Sequence, residues 1–187
     1  NGTGAFTLDG DDYFEAGEIL PLTASYTKTA WIYSTGFGYR NVMSSELQGD
    51  NNHVLKVNPD GRINAGHSFG SYFVIDTDSM FNDQWYFVAV TFEYQTGEMI
   101  LYKDGIEVDR AIVPESLRAR VDSHVLVGSK AHTLPWIGTI DDARLYDRAL
   151  SPEQVVSLYA NGGDVVVPQE TRGDVRWRVR VTPFSNS

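Results

Sequence analysis

Apolar residues in this chain recur largely at every second position, in short runs bounded by turn-forming residues. Residues 27–34 (TKTAWIYS), 53–58 (HVLKVN), 72–77 (YFVIDT), 85–93 (WYFVAVTFE), 99–104 (MILYKD) and 124–129 (HVLVGS) have strand length and are rich in β-branched and aromatic side chains. Three connectors, 57–63 (VNPDGRI), 94–99 (YQTGEM) and 102–108 (YKDGIEV), place a glycine-containing turn between such runs. Asp-Gly and Thr-Gly suit tight hairpins because glycine, and to a lesser degree aspartate, tolerates positive φ. Many short strands joined by turns predict an all-β fold, a two-sheet antiparallel sandwich or jelly roll.

One segment breaks the two-residue period. Ser151-Pro152-Glu153-Gln154 is a compact helix start: Ser151 can cap, Pro152 fits the first helical position, and Gln154 can reach back to close a capping box. Leu150 can pack on Val155 as a hydrophobic staple, and Asn161-Gly162-Gly163 supplies a stop. These signals predict one short helix near 152–160, with Val155, Leu158 and Tyr159 on its apolar side. Farther on, Val175, Trp177, Val179 and Val181 alternate with Arg176, Arg178 and Arg180, as in a strand with one arginine face. The reading is therefore one domain over 1–163 and a tail over 164–187 that forms an extra edge strand or leads to a following domain.

Composition narrows the function. The chain has 187 residues, 42% hydrophobic and 12% aromatic, enough for one ordinary core. No run approaches the roughly 18 apolar residues of a membrane helix, so no membrane insertion is expected. The net charge of −10 argues against nucleic acid, whose phosphates need a basic field. With no cysteine, disulfides, thiolate catalysis and cysteine-ligated zinc are excluded. The start, NGTGAF, lacks both Met and a leader-like pattern, which suggests a mature form or a piece of a larger protein.

Catalytic motifs are weak. GHSFG at 66–70 formally matches G-x-S-x-G, yet a strand signal follows where that motif needs a helix. The four histidines show no H-E-x-x-H spacing, and His67 is the one singled out for a site. In TIDDARLYDRALS, 139–151, Asp141 and Asp142 are adjacent, so a strand sends them to opposite faces. They cannot form the ~5–9 Å carboxyl pair of glycoside hydrolysis. As one regular strand over 137–147, Ile137, Thr139, Asp141, Ala143 and Leu145 would face the core, leaving Asp142 beside Arg144 in solvent. A buried Asp141 then needs a cation or several hydrogen-bond donors.

Several stretches together resemble a known family: LDGDDYFEAG, TAWIYS, QWYFVAVTFEYQTGEMILYKDGIEV and WIGTIDDARLYDRALSPEQVVSLYANGG. In order, over about 5–163, they resemble the laminin-G-like, concanavalin A-like jelly rolls of bacterial extracellular proteins and, more distantly, pentraxins. The resemblance implies two stacked antiparallel sheets, often a structural or ligand-linked calcium, and glycan or protein binding; it does not imply catalysis. The Glu-x-Asp-x-Glu strand of related β-jelly-roll glycosidases is missing. First and last strands lie close together in such folds, which would bring Asp9 and Asp12 of the LDGDD turn to Asp141. Calcium, with its ~6–8 oxygen ligands at ~2.3–2.6 Å, would suit them. The alternative is that Asp141 accepts backbone or arginine hydrogen bonds and Asp9 merely starts a turn.

Sugars are held by aromatic faces combined with planar polar groups. Trp31 and Trp85 lie inside strand patterns and read as core, whereas Trp136, after AHTLP, fits core and rim equally. The loops STGFGYRN and QGDNNH add polar and aromatic candidates, although such loops can be merely solvated. The composite ligand face is Tyr39, Arg40, Asp50, Asn52, His67, Tyr72 and Trp136. The resulting expectation is a non-catalytic carbohydrate-binding module of a secreted, bacterial, multidomain protein, with a polysaccharide or glycoprotein glycan as partner. A protein-interaction or adhesion module, a structural spacer and a polysaccharide-active enzyme are the alternatives.

Overall fold

The alternating pattern becomes two six-stranded sheets in which every strand pair is antiparallel. The computed structural model describes residues 5–36, 38–46, 52–67, 73–129 and 134–161. The first sheet runs in the order β1 (Phe6–Leu8), β12 (Gly138–Tyr146), β3 (Tyr26–Ser34), β8 (Trp85–Phe92), β9 (Glu98–Lys103), β10 (Ile106–Ile112). The second runs β2 (Phe14–Glu18), β11 (His124–Val127), β4 (Arg40–Ser44), β5 (Val54–Val57), β6 (Ile63–Gly66), β7 (Val74–Ile75). The chain steps from sheet to sheet through β1 to β4, crosses back from β7 to β8, and steps again through β10, β11 and β12, which makes this a jelly-roll sandwich. The tail expected over 164–187 lies outside the described residues.

The hairpin chemistry acts as read. Between β9 and β10, Asp104 and Gly105 take φ of 51° and 76°, the paired positive values of a two-residue turn. Gly97, at φ 80°, closes the β8–β9 connection, its N–H donating to Glu93 O at 2.8 Å. At Gly138 (φ 130°) a Cβ would lie 2.1 Å from the Tyr33 carbonyl, so only glycine lets β12 start against β3. β4 was hidden in the sequence because a register shift between Asn41 and Met43 breaks its alternation; Val42 and Met43 are both buried.

The interior is filled by inward residues of both sheets, among them Ile32, Val88, Val90, Leu101, Met43, Leu55, Ile63 and Val125. A second apolar layer lies on the opposite face of the first sheet. There α1 (Pro152–Asn161) sets Leu150, Val155 and Leu158 on Phe87, Ala89, Ile100 and Tyr102, with Trp31 and Tyr146 at the margin. Its start closes as a reciprocal box: Ser151 N–H donates to Gln154 Oε1 at 2.9 Å, and Gln154 N–H donates to Ser151 Oγ at 3.4 Å.

Two tryptophans depart from expectation. Trp31 lies on the outer face of β3, stacked on Tyr159 at 5.7 Å, and Trp85 is 44% exposed. Trp136 is the one sealed in the sandwich, at 0% exposure, its Nε1–H donating to Tyr33 O at 3.3 Å.

One end of the interior is polar. Lys28, inward on β3, donates to Met43 O on β4 at 3.1 Å and to His53 Nδ1 at 2.6 Å, while His53 Nε2–H donates to His124 O at 2.9 Å. Tyr26 O–H donates to His67 Nε2 at 2.9 Å, and His67 Nδ1–H donates to Leu117 O at 3.3 Å. The Arg120 guanidinium lies 5.0 Å from the Tyr26 ring centre and donates to Pro21 O and Ala24 O. Burial, helped by Lys28 and Arg120, holds His53 well below the ordinary histidine range. Burial and the same two cations bring His67 down to about 3. Both rings are therefore neutral in the fold, with tautomers set by their carbonyl partners.

Trp136→Ala is expected to cost about 3–5 kcal/mol, seen as a lower urea midpoint, because it empties a sealed site. The two buried imidazoles make a second prediction. The unfolded chain takes up their protons below pH ~6.5 while the folded chain refuses them. Stability is thus full above that pH and falls as pH drops toward His67's folded value, by about 1.4 kcal/mol per pH unit for each ring. His67→Gln should flatten this slope by about one proton in urea titrations between pH 6 and 4; an unchanged slope would show that His67 does not titrate on unfolding.

Candidate functional site

β12 does not run regularly from 137 to 147. Its pairing with β3 shifts between Asp141 and Arg144, with Asp142 at φ 47° taking up the extra residue. Before this bulge Ile140 is the inward residue, buried at 1%. Asp141, opposite Trp31, therefore faces outward with it, and its Oδ1 accepts the Asp142 N–H at 2.8 Å. After the bulge Ala143 and Leu145 pack on the core. The core-facing position expected for Asp141 is corrected accordingly: one inserted residue inverts the alternation midway. Asp142 and Arg144 do pair, Nε to Oδ1 at 2.6 Å.

Nor does Asp141 meet the LDGDD turn. Leu8 pairs with Gly138 and Phe6 with Ile140, so Asp9 lies level with residue 137, about 13 Å along the strand from Asp141. Asp9 and Asp12 instead gather with Asp11: one carboxylate oxygen from each lies within 4.8 Å of the others, all three side chains exposed. Asp9 and Asp11 share a hydrogen bond that lowers the pKa of the first and raises that of the second. An all-oxygen donor set of this kind fits a hard cation such as calcium.

The composite ligand face is dispersed. Trp136 and His67 are interior, and Asn52 is buried at 1%. Asp50 and Tyr72 lie outside the described residues. Arg40 turns to the chain, Nη1 donating to Pro135 O at 3.5 Å. Tyr39 is 51% exposed, with the Lys56 ammonium 4.8 Å from its ring centre.

The structure assembles two other outward rows. On the first sheet, Thr7, Thr139, Tyr33 and Trp85 are consecutive partners across β1, β12, β3 and β8. Tyr33 and Trp85 bring their ring centres to 5.6 Å, tilted by 50°. Thr7 and Thr139 hydroxyls lie 3.5 Å apart. Tyr33 O–H donates to Asp83 Oδ1 at 3.3 Å, and Asp83, at φ 60°, is held by its N–H on Ser34 O at 2.9 Å. Partial desolvation, with the negative Asp83 beside it, raises the Tyr33 pKa, so the hydroxyl keeps its proton. The neighbouring row, Trp31 and Phe87, is covered by Tyr159 of α1. The Tyr33–Trp85 row thus begins where the helix cover ends: two rings, three hydroxyls and one carboxylate. Sequence reading missed it because Trp85 opens an apolar run and looks like core.

On the second sheet, Asn41, Lys56 and Asn64 form one row across β4, β5 and β6, on the face turned away from the core. Asn41 Oδ1 accepts from Ser44 Oγ at 2.9 Å and Asn41 Nδ2 donates to Leu134 O at 3.1 Å. Asn64 is fully buried, and neither its oxygen nor its nitrogen has a hydrogen-bond partner among the described residues.

Comparisons with known proteins accord with this architecture. The heptameric SAP-like pentraxin of Limulus polyphemus superposes with TM-score 0.63 at 17% identity, over 84% of this chain and 80% of that one. A Ruminococcus gnavus IT-sialidase CBM40, solved with α2,3-sialyllactose, superposes with TM-score 0.68 at 11% identity, over 85% and 98%. Domain 4 of AbnA, a GH43 extracellular arabinanase of Geobacillus stearothermophilus, solved with arabinotriose, gives 0.65 at 20% identity, over 83% and 76%. No curated protein sequence matches the chain. The model of the concanavalin A-like lectin/glucanases superfamily, Laminin_G_3, matches residues 8–156, and with the two-sheet jelly roll described above it places the chain in that family.

Proposed function

We propose that the chain is a non-catalytic carbohydrate-binding module that holds a polysaccharide for a secreted multidomain protein. The observation that carries this reading is the Tyr33–Trp85 pair on the first sheet, with Trp85 exposed and Tyr33 half-buried. The two rings meet across the strands, and Tyr33 is hydrogen-bonded to Asp83. Sugars present apolar C–H faces ringed by hydroxyls; aromatic rings beside threonine hydroxyls and a carboxylate meet both parts. Phe81, 70% exposed in the segment leading into β8, adds apolar surface close by in the chain. Two of the superposed domains were solved with oligosaccharides, which supports a glycan as the partner. Calcium belongs to the same reading, held by Asp9, Asp11 and Asp12 as a brace for the turn between β1 and β2.

Affinity electrophoresis of the full chain through several soluble polysaccharides, with calcium present, should show retardation in at least one. Trp85→Ala should weaken that binding about threefold to tenfold, as should Tyr33→Ala. No retardation in any polysaccharide would remove the proposal. Retardation of wild-type strength in both Trp85→Ala and Tyr33→Ala would remove the Tyr33–Trp85 pair as the site. Calcium is checked separately: calcium chloride added to the EDTA-dialysed chain should raise the melting temperature of the wild type and leave that of Asp11→Asn unchanged, and no calcium effect on the wild type removes the calcium brace.

A further inference from the structure

The second sheet has a corner where β2, β11 and β4 meet, and a histidine and several acids converge there. Glu18 pairs with His124, Glu15 with Leu126, and Leu126 with Ser44. Because Val125 and Val127 pack on the core, His124 and Leu126 face outward, and so do Glu15 and Glu18 opposite them. Glu46 lies just past the end of β4. One ligand atom from each of Glu15, Glu46 and His124 lies within 4.8 Å of the others. His124 Nε2 is 3.4 Å from both Glu18 Oε1 and Glu46 Oε2.

The imidazole is held in a defined orientation. His124 Nδ1–H donates to Asp122 Oδ1 at 2.9 Å, and the same oxygen accepts the His124 backbone N–H, also at 2.9 Å. Asp122 is buried, so this carboxylate is a fixed partner, with no surface side chain's freedom to swing away. It assigns the proton to Nδ1 and turns Nε2 toward the glutamates. Metal-binding histidines have this arrangement, the far nitrogen on a carboxylate and the near one on the ion. We propose that His124 Nε2, Glu15 and Glu46 form a zinc-binding site, with Asp122 as its positioning residue and Glu18 in reach of the remaining coordination position.

The donor set selects the metal class. One imidazole nitrogen with two or three carboxylate oxygens suits Zn²⁺, which takes nitrogen and oxygen at about 2.0–2.2 Å in a four-coordinate shell. Calcium prefers oxygen throughout and belongs with Asp9, Asp11 and Asp12 on chemical grounds. The competing account is that His124 serves only as a cation for the surrounding acids. A single imidazolium has one N–H at Nε2 to share between Glu18 Oε1 and Glu46 Oε2, each 3.4 Å away. A divalent ion at Nε2 binds several carboxylates at once and leaves the Asp122 hydrogen bond in place. Zinc would also tie β2, β11 and the end of β4 together through side chains, at the edge of the sheet, where β2 has one strand neighbour among the described residues.

The test is titration of the full chain with zinc chloride alone, followed calorimetrically, after dialysis against chelator. One zinc per chain is expected, with a rise in melting temperature that EDTA reverses. His124→Gln should abolish saturable binding; Glu15→Gln and Glu46→Gln should each weaken it at least about tenfold; Asp122→Asn should weaken it about tenfold to hundredfold. His132→Gln and Asp11→Asn should leave it unchanged. Melting curves of each variant in EDTA report folding, and if His124→Gln fails to fold, the exposed Glu15→Gln carries the test. Absence of saturable zinc binding overturns the proposal, as does binding of wild-type strength in both His124→Gln and Glu15→Gln, or loss confined to His132→Gln.

Discussion

The molecule depends on the central strand β3 being buried on both faces. Inward, Tyr26, Ala30 and Ile32 join the sandwich core. Outward, Trp31 is pressed beneath α1, stacked on Tyr159 and edge-on to Phe87 of β8. Thr27 and Thr29 on the same outward face are sealed as well, and Thr27 Oγ1 donates to Arg148 O and accepts the Leu150 N–H, both at 2.9 Å. The helix is ten residues long, about 15 Å, and the strands run past its end. What it leaves bare is the next outward row, Tyr33 and Trp85. The candidate binding surface is therefore a consequence of where a fold element stops.

The sandwich interior is unusual in mixing a dry half with a polar end. Lys28 and Arg120 are both buried, and their donors reach backbone carbonyls and the ring nitrogen of His53. Lys28 bonds from β3 to Met43 O on β4, so it bridges the two sheets at a point where apolar side chains would only touch. The bridge requires His53 to present a bare Nδ1, which its Nε2–H bond to His124 O enforces. The same imidazoles that order this end of the core oppose folding in acid, since neither can accept a proton without losing an acceptor. Order and acid sensitivity come from one arrangement.

Two patches of the surface differ in chemistry and position. The turn after β1 offers three exposed carboxylates. The corner of the second sheet offers a histidine clamped by a buried aspartate beside glutamates from different strands. A chain of net charge −10 must spread its acids, and here they are grouped. Neighbouring like charges raise one another's free energy unless a cation or proton intervenes, as the divided proton affinities of Asp9 and Asp11 illustrate.

The sequence by itself determined the elements whose causes are local. The Asp104–Gly105 turn, the Ser151–Gln154 box and the alternation of β3 and β8 depend on neighbours within a few residues, and each is where the pattern put it. Tertiary structure decided everything that depends on phase or on what covers a face. One bulged residue at Asp142 turned Asp141 outward, and another irregularity concealed β4. Trp85, read as core, is exposed, and Trp136, which fitted core and rim equally, is sealed, because burial is set by the partner layer: α1 stops short of Trp85, while the sandwich closes over Trp136. Neither the Tyr33–Trp85 row nor the His124 corner was legible, since each unites residues far apart in the chain through cross-strand register. A two-residue period predicts which side chains share a face, but only the folded sheet order decides which faces meet, which are covered and which are left to a ligand.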